Sequence, residues 1–81
     1  MDNAKYVIVL EESIEVPIIF SRLIPHSFFR RQKVVAAGFV GVKAEYDQVV
    51  VYTWGESVSL EIKSRPEDSA IIQKVLHPAY Y

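Results

Sequence analysis

The sequence of 81 residues contains no cysteine. Disulfide bonds are therefore excluded, and so are metal sites built on thiolates. A chain without disulfides is compatible with the reducing interior of a cell, and we take the cytoplasm as the expected location.

Long hydrophobic runs are also missing. The apolar run at residues 6–10 is too short for the core of a signal peptide, and acidic residues follow it directly. No run approaches the ~20 apolar residues that a membrane-spanning helix needs. We therefore expect neither a leader nor an association with membranes.

Histidine is scarce, and so are the patterns that go with catalysis. His26 and His77 each lie beside a proline, with no second histidine at ligand spacing, so we predict no metal and no cofactor. Ser27 follows His26, but adjacency in sequence does not create the geometry of a triad, and no G-x-S-x-G motif is present. The acidic pairs fit a solvated turn and the first turn of a helix: Glu11 with Glu12, and Glu67 with Asp68. We predict that the protein is not an enzyme.

Apolar residues, by contrast, make up 51% of the chain, which is ample for one small domain spanning residues 1–81. The net charge is −1 but unevenly distributed. Residues 16–44 hold five basic residues and no acid, whereas the rest holds four basic and ten acidic residues. A surface polarised in this way can steer a charged partner, or another copy of the chain.

The first half of the chain predicts three strands and a short helix. Residues 5–10 and 14–20 alternate as a hairpin that turns through residues 11–13. Pro17 cannot donate to a strand ladder, so we place its strand at an edge, or Pro17 on the unpaired side. Pro25 predicts a short helix ending by Gln32. Residues 34–43 are apolar on both faces, which is typical of a central strand covered on both sides.

Residues 49–63 predict a second hairpin, which folds about Gly55 and Glu56 in a type II′ turn after a polar connection at residues 44–48. This register pairs Val51 with Leu60 and places apolar residues on one face. The other face carries Tyr52 and Trp54 among polar residues. Either another part of the chain covers these two rings, or they form an exposed aromatic platform.

Residues 64–77 predict the C-terminal helix. Ser64 and Glu67 have the spacing of a capping box, and Pro78 would end the helix. An apolar stripe faces the sheet, with Ile72 at its edge; the stripe consists of Ala70, Ile71, Val75 and Leu76. The predicted fold is α+β: a mainly antiparallel five-stranded sheet, in the order β-β-short α-β-β-β-α, with the helix on one face.

Our leading functional hypothesis is a homodimer that binds other proteins or regulates them. One helix covers one sheet face, while the central strand and the Tyr52 face both need cover, which a second copy would supply. The candidate interface residues are aromatic: Tyr52, Trp54, Tyr80 and Tyr81. In size and composition the chain resembles the small orphan proteins that phages, plasmids and other mobile genetic elements carry, many of which bind another protein.

The alternative hypothesis is a nucleic-acid-binding accessory protein. A segment at residues 22–33 interleaves cations and rings as nucleic-acid surfaces do: Arg22, Phe28, Phe29, Arg30, Arg31 and Lys33. In the competing structural interpretation, the two phenylalanines anchor the segment to the core. The paired arginines, Arg30 and Arg31, are then solvated or form salt bridges with Glu11, Glu12 or Glu15. With a sequence pI of about 6.1, the chain lacks the overall positive charge that is typical of a dedicated nucleic-acid binder.

Overall fold

The computed structural model describes residues 3–76. The elements follow one another in this order: β1 (Ala4–Glu11), β2 (Ile14–Phe20), a 3₁₀ helix (His26–Phe29), β3 (Val34–Glu45), β4 (Gln48–Trp54), β5 (Glu56–Ser57), β6 (Ile62–Lys63) and α1 (Asp68–Leu76). The α+β class and the mainly antiparallel sheet are confirmed. The prediction of five strands in one sheet is wrong, because a four-stranded sheet of order β2-β1-β3-β4 is accompanied by a separate two-stranded sheet of β5 and β6.

The N-terminal hairpin forms as predicted, and β2 is an edge strand. Glu12 and Ser13 form its two-residue loop and both have positive φ, 50° and 70°, as a type I′ turn requires. Hydrogen-bonded and non-hydrogen-bonded pairs alternate away from such a turn, so Pro17 lies in a non-hydrogen-bonded pair with Ile8. Its nitrogen therefore faces the free edge, where proline removes a donor and leaves the β1–β2 ladder intact.

The predicted hairpin at residues 49–63 is wrong, because β4 pairs with β3. Seven positions of the two strands are paired, including Trp54 opposite Phe39, and a tight turn at Tyr46 and Asp47 joins them. Residues 44–48, predicted to be a connection, instead extend both strands into that turn. Gly55 does have positive φ, at 80°, but it redirects the chain into the short β5–β6 pair.

Apolar clusters lie on both faces of the four-stranded sheet, which confirms that β3 is a central strand covered on both sides. On the face under α1 the buried cluster is Tyr6, Ile8, Ala36, Val40, Val51 and Ile72. The opposite face holds a cluster of Val7, Val9, Phe20 and Ala37, against which Phe29, Leu60 and Ile62 pack. We call this second side the aromatic face, because Phe39, Tyr52 and Trp54 also project from it.

The helix begins at Asp68, and the capping box predicted at Ser64 and Glu67 does not form. The Ser64 hydroxyl donates to the carbonyl of Gly55 at 2.8 Å, while the Asp68 carboxylate accepts the backbone N–H of Arg65 at 2.8 Å. Only one of the two bonds of a capping box is therefore made, one residue further along, between Asp68 and Arg65. Ile72, which is 1% exposed, is the centre of the buried stripe; Val75 and Ala70 are exposed, contrary to prediction. Ile71 and Leu76 pack on the core as expected.

A side chain of α1 also reaches the free edge of β4. The Gln73 amide nitrogen donates to the carbonyl of Val49 at 2.9 Å, and its oxygen accepts the N–H of Val51 at 3.4 Å. Both edge strands are therefore interrupted as templates for pairing, β2 by a proline and β4 by a side-chain amide. In residues 3–76, no helix is long and apolar enough to cross a membrane.

Candidate functional site

Tyr52 and Trp54 form a stacked pair on the aromatic face. Because they alternate along β4, their side chains project to the same side, where the rings stack with centroids 5.4 Å apart and planes inclined by 20°. Phe39 of β3 continues the stack at 6.1 Å from Trp54. Tyr52 is 44% exposed and Trp54 37% exposed. The two rings thus lie side by side and partly exposed, while their role as an interface stays a prediction.

The ring of Tyr52 lies directly over Gly41. A β-carbon added at Gly41 would lie only 2.5 Å from Cζ of Tyr52, so the absence of a side chain makes room for the ring. An aromatic side chain from the neighbouring strand therefore approaches the sheet closely at this glycine. The backbone at Gly41 beneath the ring and the stacked indole of Trp54 beside it restrict the rotation of the Tyr52 ring in the free protein.

Edge contacts link the stack to the 3₁₀ helix. From Phe39, a series of ring contacts with centroids 4.7–5.9 Å apart passes through His26, Phe20, Phe29 and Phe28. We call the seven rings the aromatic row: Tyr52, Trp54, Phe39, His26, Phe20, Phe29 and Phe28. The middle of the row is buried, and its far end, Phe28, is 74% exposed. Two exposed aromatic ends are thus joined through a buried centre.

His26 has a structural place in this row. It is 5% exposed and its Nε2–H donates to the carbonyl of Gly38 at 3.0 Å, which ties the 3₁₀ helix to β3. Within residues 3–76, no group of three or more histidine or acidic side chains is placed to hold a metal ion.

The basic segment lies exposed beside the far end of the row. Arg22, Arg30, Arg31 and Lys33 are all exposed, and none of them forms an ion pair within the described chain. The suggested pairing with Glu15 is wrong, because Glu15 binds Arg65 instead. Phe29 packs against Phe20 as an anchor, whereas Phe28 is mostly exposed and is not one.

Four polar side chains are joined under α1, in what we call the Asp68 network: Tyr6, Glu15, Arg65 and Asp68. The Arg65 guanidinium donates to both oxygens of Glu15, at 2.6 and 3.2 Å, and through Nε to Asp68 at 2.8 Å. The hydroxyl of Tyr6 donates to the second oxygen of Asp68 at 2.5 Å. Tyr6 and Asp68 are fully buried, so the network joins β1, β2 and α1.

The electrostatics of the network favour one protonation state. Burial, and then the hydrogen bond to Asp68, raise the pKa of Tyr6 well above its ordinary value, so the phenol stays protonated. The hydrogen bond from Arg65 holds the pKa of Glu15 below its usual value, and the bonds to Glu15 and Asp68 raise the pKa of Arg65. In the described residues, every buried side-chain nitrogen and oxygen has a hydrogen-bond partner. The network therefore accounts for the seating of α1 on the sheet.

The site residues predicted from the sequence and those found in the aromatic row are not the same set. Tyr80, Tyr81 and His77 lie outside the described residues. Sequence reasoning missed Phe39 and His26 as members of the aromatic row. Correct pairing of β4 with β3 would have placed Phe39 beside Trp54, but no comparable signal marks His26.

Comparisons with known proteins identify no relative. No family model matches the chain, and neither does any curated protein or solved structure. A function must therefore be inferred from the geometry of the aromatic face.

Replacing Gly41 with alanine tests whether the glycine positions the stack. The new β-carbon would displace the Tyr52 ring and destabilise the fold by about 1–3 kcal/mol, as overpacking does. The near-ultraviolet circular dichroism of the Tyr52–Trp54 pair should weaken as well. In a Tyr52→Ala background the same change should be neutral or stabilising, because alanine suits a strand better than glycine. An equal loss of stability in both backgrounds would contradict this role.

Replacing Tyr6 with phenylalanine tests the Asp68 network. The ring is kept, but a buried carboxylate oxygen loses a donor, so urea unfolding should show a loss of about 1–3 kcal/mol. Tyr46→Phe is the matched control, because Tyr46 is fully exposed and the same change there should stay within about 0.5 kcal/mol. If the two variants are equally stable, the network does not hold α1 in place.

Proposed function

We propose that the protein is a non-catalytic, homo-oligomeric module that binds or regulates other proteins, with the Tyr52–Trp54 stack as its contact. The observation that carries this proposal is the stack itself, a pair of half-exposed rings on the face that α1 leaves uncovered. Aromatic side chains that are already ordered bury a large area while losing little conformational entropy, and such residues are typical interface anchors.

A second copy of the chain suits this surface. A two-fold axis through the stack would place the rings of one copy on those of the other, giving a self-complementary contact. The net charge of −1 means that two copies repel one another weakly.

The sheet edges support association through a face. Pro17 removes a donor from the middle of the β2 edge, and Gln73 occupies the β4 edge at Val49 and Val51. Pairing with a second copy along the full length of either edge strand is therefore disfavoured. The aromatic face carries no such obstacle.

Solution mass measured by light scattering tests the dimer. We expect a dimer whose mass is the same at low and high salt, because buried aromatic area responds little to ionic strength. Trp54→Ala should weaken the dimer roughly 30-fold or more, the effect expected for an interface hot spot. Val75→Ala, a truncation of a 56% exposed residue on α1, should leave the mass unchanged. If Trp54→Ala associates as strongly as the wild type, the stack is not the interface.

A second candidate function is the binding of single-stranded nucleic acid by the basic segment. The observation in its favour is that Phe28 is mostly exposed beside Arg30 and Arg31, whose charges no acid neutralises in the described chain. Bases stack on exposed rings while cations follow the phosphates. Against it, Glu11 and Glu12 lie exposed where β1 turns into β2.

Salt dependence separates the two functions. With up to four phosphate contacts, the affinity for a labelled single-stranded oligonucleotide should fall with a log–log salt slope of up to about −3. Changing Arg30 and Arg31 to glutamate should abolish binding while the dimer mass stays the same. Lys74→Glu, an exposed charge change on α1, serves as the control. A wild type with no measurable affinity at low salt would eliminate this candidate.

A further inference from the structure

The free edge of β4 already binds one amide group, that of Gln73. This amide donates to the carbonyl of Val49 and accepts from the N–H of Val51. A residue in a parallel neighbouring strand makes the same two bonds, one to a carbonyl and one from the N–H two residues further along. The Gln73 amide therefore takes the place that one residue of a parallel strand would occupy at Val49 and Val51.

The next repeat along the same edge consists of the Val51 carbonyl and the Thr53 N–H. Val51 directs its N–H outward to Gln73, and Thr53 is two residues further along the same strand, so it has the same orientation. Both groups therefore face away from β3. No hydrogen bond from another element within residues 3–76 reaches either of them. The repeat presents one acceptor and one donor at peptide spacing.

These groups border an open pocket between β4 and the start of α1. The pocket has a volume of about 390 Å³, and its lining comes from both elements: Val51, Tyr52, Thr53, Ser64, Arg65, Pro66 and Ser69. A volume in this range holds small ligands or short segments of chain. Arg65 donates to Glu15 and Asp68, so its charge is already neutralised and the pocket favours a neutral ligand.

We infer that this edge binds a neutral, extended polypeptide segment, one residue of which donates its N–H to the Val51 carbonyl and accepts the Thr53 N–H with its own carbonyl. The segment would add to β4 as a short strand, a recurring mode of peptide recognition. Gln73 indicates that the ligand is a polypeptide backbone, because its amide already binds the neighbouring carbonyl and N–H of the same edge, at Val49 and Val51. This inference goes beyond the proposed function, since a monomeric chain would bind the segment equally well.

The test uses the blocked pentapeptide acetyl-Thr-Val-Thr-Val-Thr-amide as a probe of ¹⁵N-labelled protein. We expect the amide signal of Thr53 to shift most on titration, and its hydrogen exchange to slow. The same peptide with every main-chain amide nitrogen methylated keeps its side chains, including the threonine hydroxyls, and its carbonyls, but loses its main-chain N–H donors. It should bind about tenfold more weakly, the loss expected for one or more hydrogen bonds.

Two variants examine the edge itself. Thr53→Pro removes the N–H at a position that faces outward, as Pro17 does in β2, and should weaken peptide binding about tenfold. Gln73→Ala frees a second repeat and should tighten binding about fivefold or more. Circular dichroism checks that each variant is folded. If Thr53→Pro does not fold, the test depends on Gln73→Ala and on the comparison of the parent peptide with the methylated one.

The inference is overturned if the methylated peptide binds as well as the parent, or if the largest shifts fall on Trp54. It is also overturned if neither wild type nor Gln73→Ala binds the peptide at millimolar concentration. Light scattering on the same samples reports self-association separately. A dimer that does not bind the peptide would support the proposed function and overturn the inference about the β4 edge. A monomer that binds the peptide would support the inference and overturn the proposed dimer.

Discussion

The position of α1 depends on one buried carboxylate, that of Asp68. A fully buried charge is tolerated only when donors surround it, and Asp68 has three: the hydroxyl of Tyr6 and two N–H groups of Arg65. Arg65 in turn bonds to Glu15 on the edge strand. Because these partners come from β1, β2 and the residues just before α1, the start of the helix has one favourable place on the sheet.

The remaining surface features follow from that placement. With its start fixed, α1 lies across β4, seats Ile72 in the core and brings Gln73 to the strand's free edge. One sheet face is thereby covered, and a chain of this length supplies no second helix in its described part for the other. The 3₁₀ helix covers the β1 side of the aromatic face through Phe29 and His26, which leaves Tyr52 and Trp54 partly exposed at its far end.

The sequence was informative where the pattern was local. Alternation and Pro17 were enough to predict the first hairpin and its edge position, and period-two spacing placed Tyr52 and Trp54 side by side. The β3–β4 pairing was missed because its turn gives no sequence signal: Tyr46 adopts a φ of 55°, a conformation usually left to glycine or asparagine. Gly55 does have positive φ, but the same conformation serves a hairpin or a redirection of the chain.

The start of the helix was missed for a different reason. The sequence favours a capping box from Ser64 to Glu67, with serine as the cap. The structure instead makes a single bond from the Arg65 N–H to the Asp68 carboxylate. This bond is formed because only Asp68 also meets the hydroxyl of Tyr6, a contact across 62 positions of sequence that no local pattern contains.

The two free edges are protected by different chemistry, and this difference has a functional consequence. Pro17 lacks its donor permanently, so no partner strand can regain that bond on β2. On β4 the groups are intact and merely occupied, because Gln73 satisfies them through a flexible side chain on the helix surface. Exchanging that amide for a peptide replaces two hydrogen bonds with two of the same kind, so the exchange is nearly balanced in energy. The inferred strand can therefore add to the β4 edge at Val51 and Thr53, whereas on the β2 edge a strand would lack one hydrogen bond at Pro17.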